Sequence, residues 1–104
     1  MMRAQDMVIC LCGSTKFKPQ FEQANRNLTM AGKVVISVGV FGHADAIVLT
    51  EDAKRCLDAI HRRKIDMSDA IHVINVGGYI GSSTEDEILY ARSQGKHVTY
   101  LEQH

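Results

Sequence analysis

The sequence predicts a three-layer α/β fold built on a four-stranded parallel sheet in the order 2-1-3-4. Three observations lead there. Short apolar runs alternate with helical stretches, which demands right-handed crossovers between parallel strands. The runs at 7–12 and 70–76 are apolar almost throughout, as strands buried on both faces are. Glycine and hydroxyl clusters follow both runs, so two glycine-rich loops leave strand ends and open helices.

Each element has its own signal. The run Met7-Val8-Ile9-Cys10-Leu11-Cys12 is too short for a helix and stops at Gly13. Phe17, Phe21, Ala24 and Leu28 then share one helical face, which places a helix over about 17–31. Pro19 fits its first turn, and Gly32 ends it. Val34, Val35, Ile36 and Val38 mark a second strand over 33–38. A connection with Gly39, Gly42 and His43 follows. Thr50-Glu51-Asp52 reads as an N-cap with an acidic first turn. Ala53, Cys56, Leu57, Ile60 and Ile65 continue that helix to about 67. The third strand is 70–76, the third helix about 85–94 with Gly95 as its stop, and the fourth strand 97–101. Placing the switch point between the first and third strands gives the sheet order, as in flavodoxin-like and Rossmann-like folds. It also puts Gly13-Ser14-Thr15 and the loop 77–87 in one crevice.

Composition narrows the classes. A chain of 104 residues is read as one domain spanning 1–104. A small sheet of this size gains stability by dimerising, so a homodimer is expected. Formal net charge is zero, which argues against a nucleic-acid partner held by counterion release. The basic run His61-Arg62-Arg63-Lys64 reads as a solvated helix face. No apolar run approaches a membrane span, and Met1 to Asp6 lack a signal-peptide core. The odd set of cysteines, Cys10, Cys12 and Cys56, suits free thiols in a reducing, cytoplasmic setting. All three are read as small core residues. Cys10-x-Cys12 is a weak metal signal, and nothing completes a ligand set. No metal and no organic cofactor is expected.

The candidate chemistry gathers at the two loops. Gly13, Ser14, Thr15 and Lys16 offer backbone N–H groups, hydroxyls and a cation to an anion, or form a plain turn with Ser14 or Thr15 as cap. Walker A and G-x-G-x-x-G spacings are absent. Gly77, Gly78 and Gly81 let backbone approach a ligand at the N-terminus of the third helix. Glu87, placed in the first turn, has two readings. It closes a capping box with Thr84, with Ser83 and Asp86 as a second register, or it is a carboxylate nucleophile or base. His43 is either an exposed loop histidine or a ligand contact. Asp58 and His61 share a helix face, turned to the crevice or paired on the surface. Tyr79 stacks on a base or only covers its loop. Asn75 needs partners and orders the loop or touches ligand.

Taken together, these stretches resemble the nucleoside 2-deoxyribosyltransferase-like superfamily. The resemblance is carried by Cys12-Gly13-Ser14-Thr15-Lys16-Phe17, Phe41-Gly42-His43, His61-Arg62-Arg63-Lys64-Ile65-Asp66, Ser68-Asp69-Ala70-Ile71 and the loop Gly77 to Glu87 with Ile88. It covers nearly the whole chain. Within it the chain resembles the deoxynucleoside 5′-monophosphate N-glycosidase group, and more nearly the small bacterial and phage relatives of that group. It implies hydrolysis or transfer of an N-glycosidic bond in a nucleoside or nucleoside 5′-monophosphate. Glu87 would be the nucleophile at the anomeric carbon. Where the hydrolases carry an aspartate ahead of the third strand, this chain has His61, with Asp58 one turn earlier; these would assist the leaving base. Gly13, Ser14, Thr15, Lys16, Phe17, His43, Gly78, Tyr79, Gly81, Ser82, Ser83 and Thr84 would bind substrate. The loop 77–83 is longer than in those glycosidases. The resemblance also implies a homodimer, to which Glu102-Gln103-His104 would lend residues. The alternative is a nucleotide-binding module of the same fold without turnover.

Overall fold

A computed structural model describes residues 7–104. The reading of Met1 to Asp6 lies outside the described residues. The strands are β1 (Val8–Gly13), β2 (Val34–Ile36), β3 (Ala70–Ile74) and β4 (His97–Tyr100). The α-helices are α1 (Lys18–Met30), α2 (Glu51–Asp66) and α3 (Ser82–Ser93). All strand pairs are parallel, in the order β2-β1-β3-β4. The sheet is therefore the expected one.

Alternation along the strands divides the core. Cys10, Cys12, Ile71 and Val73 face one way and pack with Ile65 of α2 and Ile88 and Ala91 of α3. Leu11 and Ile74 face the other way and pack with Phe21 and Ala24 of α1. Helices thus cover both faces. None of the helices among the described residues is long and apolar enough to cross a membrane.

Boundaries differ for local reasons. The predicted first helix divides into a 3-10 turn (Thr15–Phe17) and α1, with Pro19 in the first turn of α1. β2 is shorter than predicted and ends at Ile36; just beyond it the Ser37 carbonyl accepts from Lys64 Nζ at 2.9 Å. The Thr50 hydroxyl caps α2 by accepting from Ala53 N–H at 3.1 Å. Thr50→Ala is expected to cost about 1 kcal/mol in chemical denaturation, the usual value of such a cap.

Two sequence readings are corrected on α2. Its inward stripe runs Leu57, His61, Ile65, at i, i+4 and i+8, whereas Cys56 and Ile60 are exposed. Cys56 is therefore not a core residue. The basic run is not a uniformly solvated face either: Arg62 and Arg63 are exposed, but His61 is buried and Lys64 half-buried.

Candidate active site

Gly13 ends β1 where no side chain fits. A Cβ there would lie 2.9 Å from the Ile74 carbonyl oxygen, so the two central strands need glycine to approach this closely. The chain then turns through Ser14, whose hydroxyl accepts from Lys16 N–H at 3.3 Å and caps the 3-10 turn. Thr15 Oγ1 lies 2.7 Å from His43 Nδ1 and accepts from His43 N–H at 3.2 Å. Lys18 pairs with Asp45 at 2.9 Å. These contacts tie the connection 37–50 over the first loop and make it one wall of a cavity.

The second loop is set by glycine and by the chain end. Gly77 (φ 63°) and Gly78 (φ 81°) occupy the left-handed region, where glycine is favoured. The buried Asn75 side chain donates to the Glu102 carbonyl at 3.2 Å and accepts from Glu102 N–H at 2.9 Å. Glu102 Oε2 in turn accepts from Gly77 N–H at 2.8 Å. Asn75 therefore orders this loop. Glu102 turns back into its own chain, and the Gly77 amide is already used.

α3 begins at Ser82 with Gly81 as N-cap, and no side chain caps it. That start is three residues ahead of the expected one, and it removes both proposed capping boxes. Glu85 N–H donates to the Gly81 carbonyl at 2.9 Å, so the helix is already wound where Thr84 was expected to cap it. Thr84 is buried inside the helix. Glu87 lies in the second turn, not the first, and faces inward with its side chain 17% exposed.

Between the loops lies a cavity of about 620 Å³, within the usual range for a small-molecule site. Its lining includes Gly13, Ser14, Thr15, His43, Asp58, His61, Tyr79, Gly81, Ser82, Ser83, Thr84 and Glu87. Three candidates stand outside it. Lys16 Nζ lies 3.7 Å from the centre of the Tyr79 ring, and Phe17 meets the same ring edge-on at 6.0 Å. The 3-10 turn carries both outward against Tyr79. Gly78 belongs to the turn behind, its N–H donating to the Asn75 carbonyl at 2.8 Å. The sequence reading missed the apolar wall of Val38, Val40, Leu49 and Leu57, and the cations Lys54 and Lys64. Lys64 follows His61 by three positions, so helical spacing carried that signal.

The innermost side chains form a cluster. His61 Nε2 lies 3.8 Å from Glu87 Oε1, 3.3 Å from Cys12 Sγ and 3.8 Å from Cys10 Sγ. Burial raises the Glu87 carboxyl from 4.5 to about 7, although His61 pulls the other way. Burial opposes charging of His61, yet its contact with Cys10 and the nearby Glu87 carboxylate raise its pKa overall. The thiol–thiol hydrogen bond lowers the pKa of Cys10 and raises that of Cys12. Burial thus favours the neutral form of Glu87, while the contacts of His61 favour its charged form. A carboxylate and an acidic imidazole side by side, at the floor of a cavity, can attack and protonate at once. Comparison with protein-family models, curated proteins and solved structures gives no match.

Proposed function

We propose that the protein hydrolyses or transfers the N-glycosidic bond of a nucleoside or nucleoside 5′-monophosphate, with Glu87 as nucleophile. The observation that carries this reading is the inward Glu87 carboxylate, engaged in no helix cap, 3.8 Å from His61 in a nucleoside-sized cavity. In the first step a Glu87 oxygen bonds to C1′ as the C1′–N bond breaks, through an oxocarbenium-like state. His61 gives its proton to the departing base, and Asp58, one turn earlier on α2, lines the same cavity. In the second step water attacks C1′, the now neutral His61 takes its proton, and the Glu87 carboxylate leaves. A second base in place of water gives transfer.

The rest of the cavity suits such a substrate. The apolar wall fits the face of a base, beside the Tyr79 ring. Gly81, Ser82 and Ser83 at the N-terminus of α3, with Lys54 and Lys64 across the cavity, fit a 5′-phosphate. A homodimer belongs to this reading: Ile47 and Val48 line the cavity yet stand 46% and 96% exposed, and an apolar partner there would close the rim. Sedimentation velocity tests that part.

The test of the activity is incubation with a panel of ribo- and deoxynucleosides and their 5′-monophosphates, with released base read by liquid chromatography. Base release supports the reaction and names the substrate. A thermal shift from one nucleotide without release makes the protein a binding module. The absence of both release and shift overturns the proposal.

A further inference from the structure

Cys10 and Cys12 play no part in the glycosidic route, yet they are wholly buried and point at its histidine. They sit two apart on the central strand β1, so both thiols leave the same face of the sheet. His61 reaches them from α2, 49 residues beyond Cys12. The sequence reading that nothing completes a ligand set is thereby corrected, because the third donor comes from another element. The two Sγ atoms and a His61 ring nitrogen all lie within 4.8 Å of one another.

We propose that Cys10, Cys12 and His61 form a three-ligand site for a divalent cation of the zinc class, with its open position toward the cavity beside Glu87. The first argument is spacing. Bonds of about 2.3 Å to sulfur and about 2.0 Å to nitrogen in a tetrahedron set sulfur and nitrogen roughly 3.5 Å apart. The observed separations, 3.3 and 3.8 Å, bracket that value. The second argument is ligand type. Two thiolates and an imidazole select zinc over magnesium or calcium, which take oxygen. The third is access. His61 and Glu87 line the cavity and the cysteines lie beneath them, so an ion enters from the cavity and keeps one face toward it. Three protein ligands and one open position is the arrangement of zinc sites that do chemistry. On binding, the two thiols release their protons to solvent and both sulfurs coordinate as thiolates.

This inference stands apart from the glycosidic reading, since it needs only the three ligands. It also bears on it. The ion and the transferable proton compete for His61 Nε2, so a loaded protein should release base more slowly than a metal-free one.

The test uses the whole chain and zinc or cobalt(II) alone. Metal-free protein is titrated with zinc against a chromophoric chelator, and bound zinc is counted by elemental analysis. Cobalt(II) is then added and its visible spectrum recorded. We expect one ion per chain, a dissociation constant below about 1 μM, and a cobalt spectrum with thiolate charge-transfer and tetrahedral bands. Cys12→Ser should weaken binding by at least about 100-fold, more than loss of an outer hydrogen-bond partner usually costs. Cys56→Ser should leave it unchanged, since that thiol is exposed elsewhere on α2. Absence of stoichiometric binding, a cobalt spectrum without thiolate bands, or binding that survives Cys12→Ser each overturns the proposal. The wild-type cobalt spectrum decides the matter even where Cys12→Ser fails to fold.

Discussion

The Glu87→Gln variant is expected to lose base release by about 10³-fold or more, the scale of removing a covalent nucleophile. The same variant should be more stable than wild type at and above neutral pH. Both effects have one cause. The structure holds the carboxylate in a largely dry place, where its ionised form is disfavoured and its pKa stands at about 7. In the unfolded chain the group ionises near 4.5. Between those values the folded protein binds more protons than the unfolded one, so Glu87 makes stability fall as pH rises. The loss begins above about 4.5 and is complete above about 7, where it amounts to about 3 kcal/mol.

Glutamine keeps the shape and has no charge to bury. In metal-free protein the two stability curves should therefore meet below pH 4.5 and separate as pH rises, with the variant on top. Urea titrations across that range, run beside the base-release assay, read both effects. Equal stability of the two proteins at pH 8 would show that Glu87 is not held in a desolvated state. Full base release by the variant would remove it from the nucleophile's role. A variant that still shifts in melting temperature with substrate, yet releases nothing, separates binding from chemistry.

The fold was legible because its signals are local. Gly13 and Gly95 end elements, Thr50 starts one, and the apolar runs of β1 and β3 are long enough to be strands and too short to be helices. Parallel order followed from the alternation of strand and helix. The candidate site was legible only as two loops and a carboxylate. Ser82, Ser83 and Thr84 all look like N-caps, so spacing alone could not tell which residue begins α3; extended Gly81 decides it. On α2, Cys56 and Ile60 are apolar and His61 is not, so composition pointed to the wrong stripe. The helix turns Leu57, His61 and Ile65 inward because His61 finds thiols and a carboxylate there. That meeting joins residues far apart in the chain, and no pattern within a single element encodes it. The connection 37–50 walls the cavity without any periodicity of its own, held by contacts such as Thr15 with His43.

Phe21→Ala is expected to destabilise the fold by about 3–5 kcal/mol, the range for emptying a fully buried aromatic site. Phe21 is 1% exposed and is the largest wholly buried side chain on the α1 side of the sheet. It packs with Leu11, Ala24 and Ile74, and it meets the Phe41 ring edge-on at 5.4 Å. Its neighbours cannot close the gap, because Leu11 and Ile74 are fixed in the central strands and Gly13 has no side chain to lend. A domain of this kind has about 5–15 kcal/mol in all, so the variant retains a small margin or none. The effect also reaches the cavity. Phe41 lies in the connection 37–50, which carries His43 and the Val38, Val40 and Leu49 part of the apolar wall. Loss of the Phe21 ring should therefore weaken ligand binding under conditions where the variant is still folded. The comparison is with Met30→Ala on the same helix, where the side chain is 84% exposed and the change should stay within about 0.5 kcal/mol. Urea midpoints separate the two variants directly. Similar midpoints would mean that α1 is not held through Phe21, and the layered core described for that face would be wrong. A large drop for Phe21→Ala with partial recovery in Phe21→Leu would tie both the packing of α1 and the position of the cavity wall to this one ring.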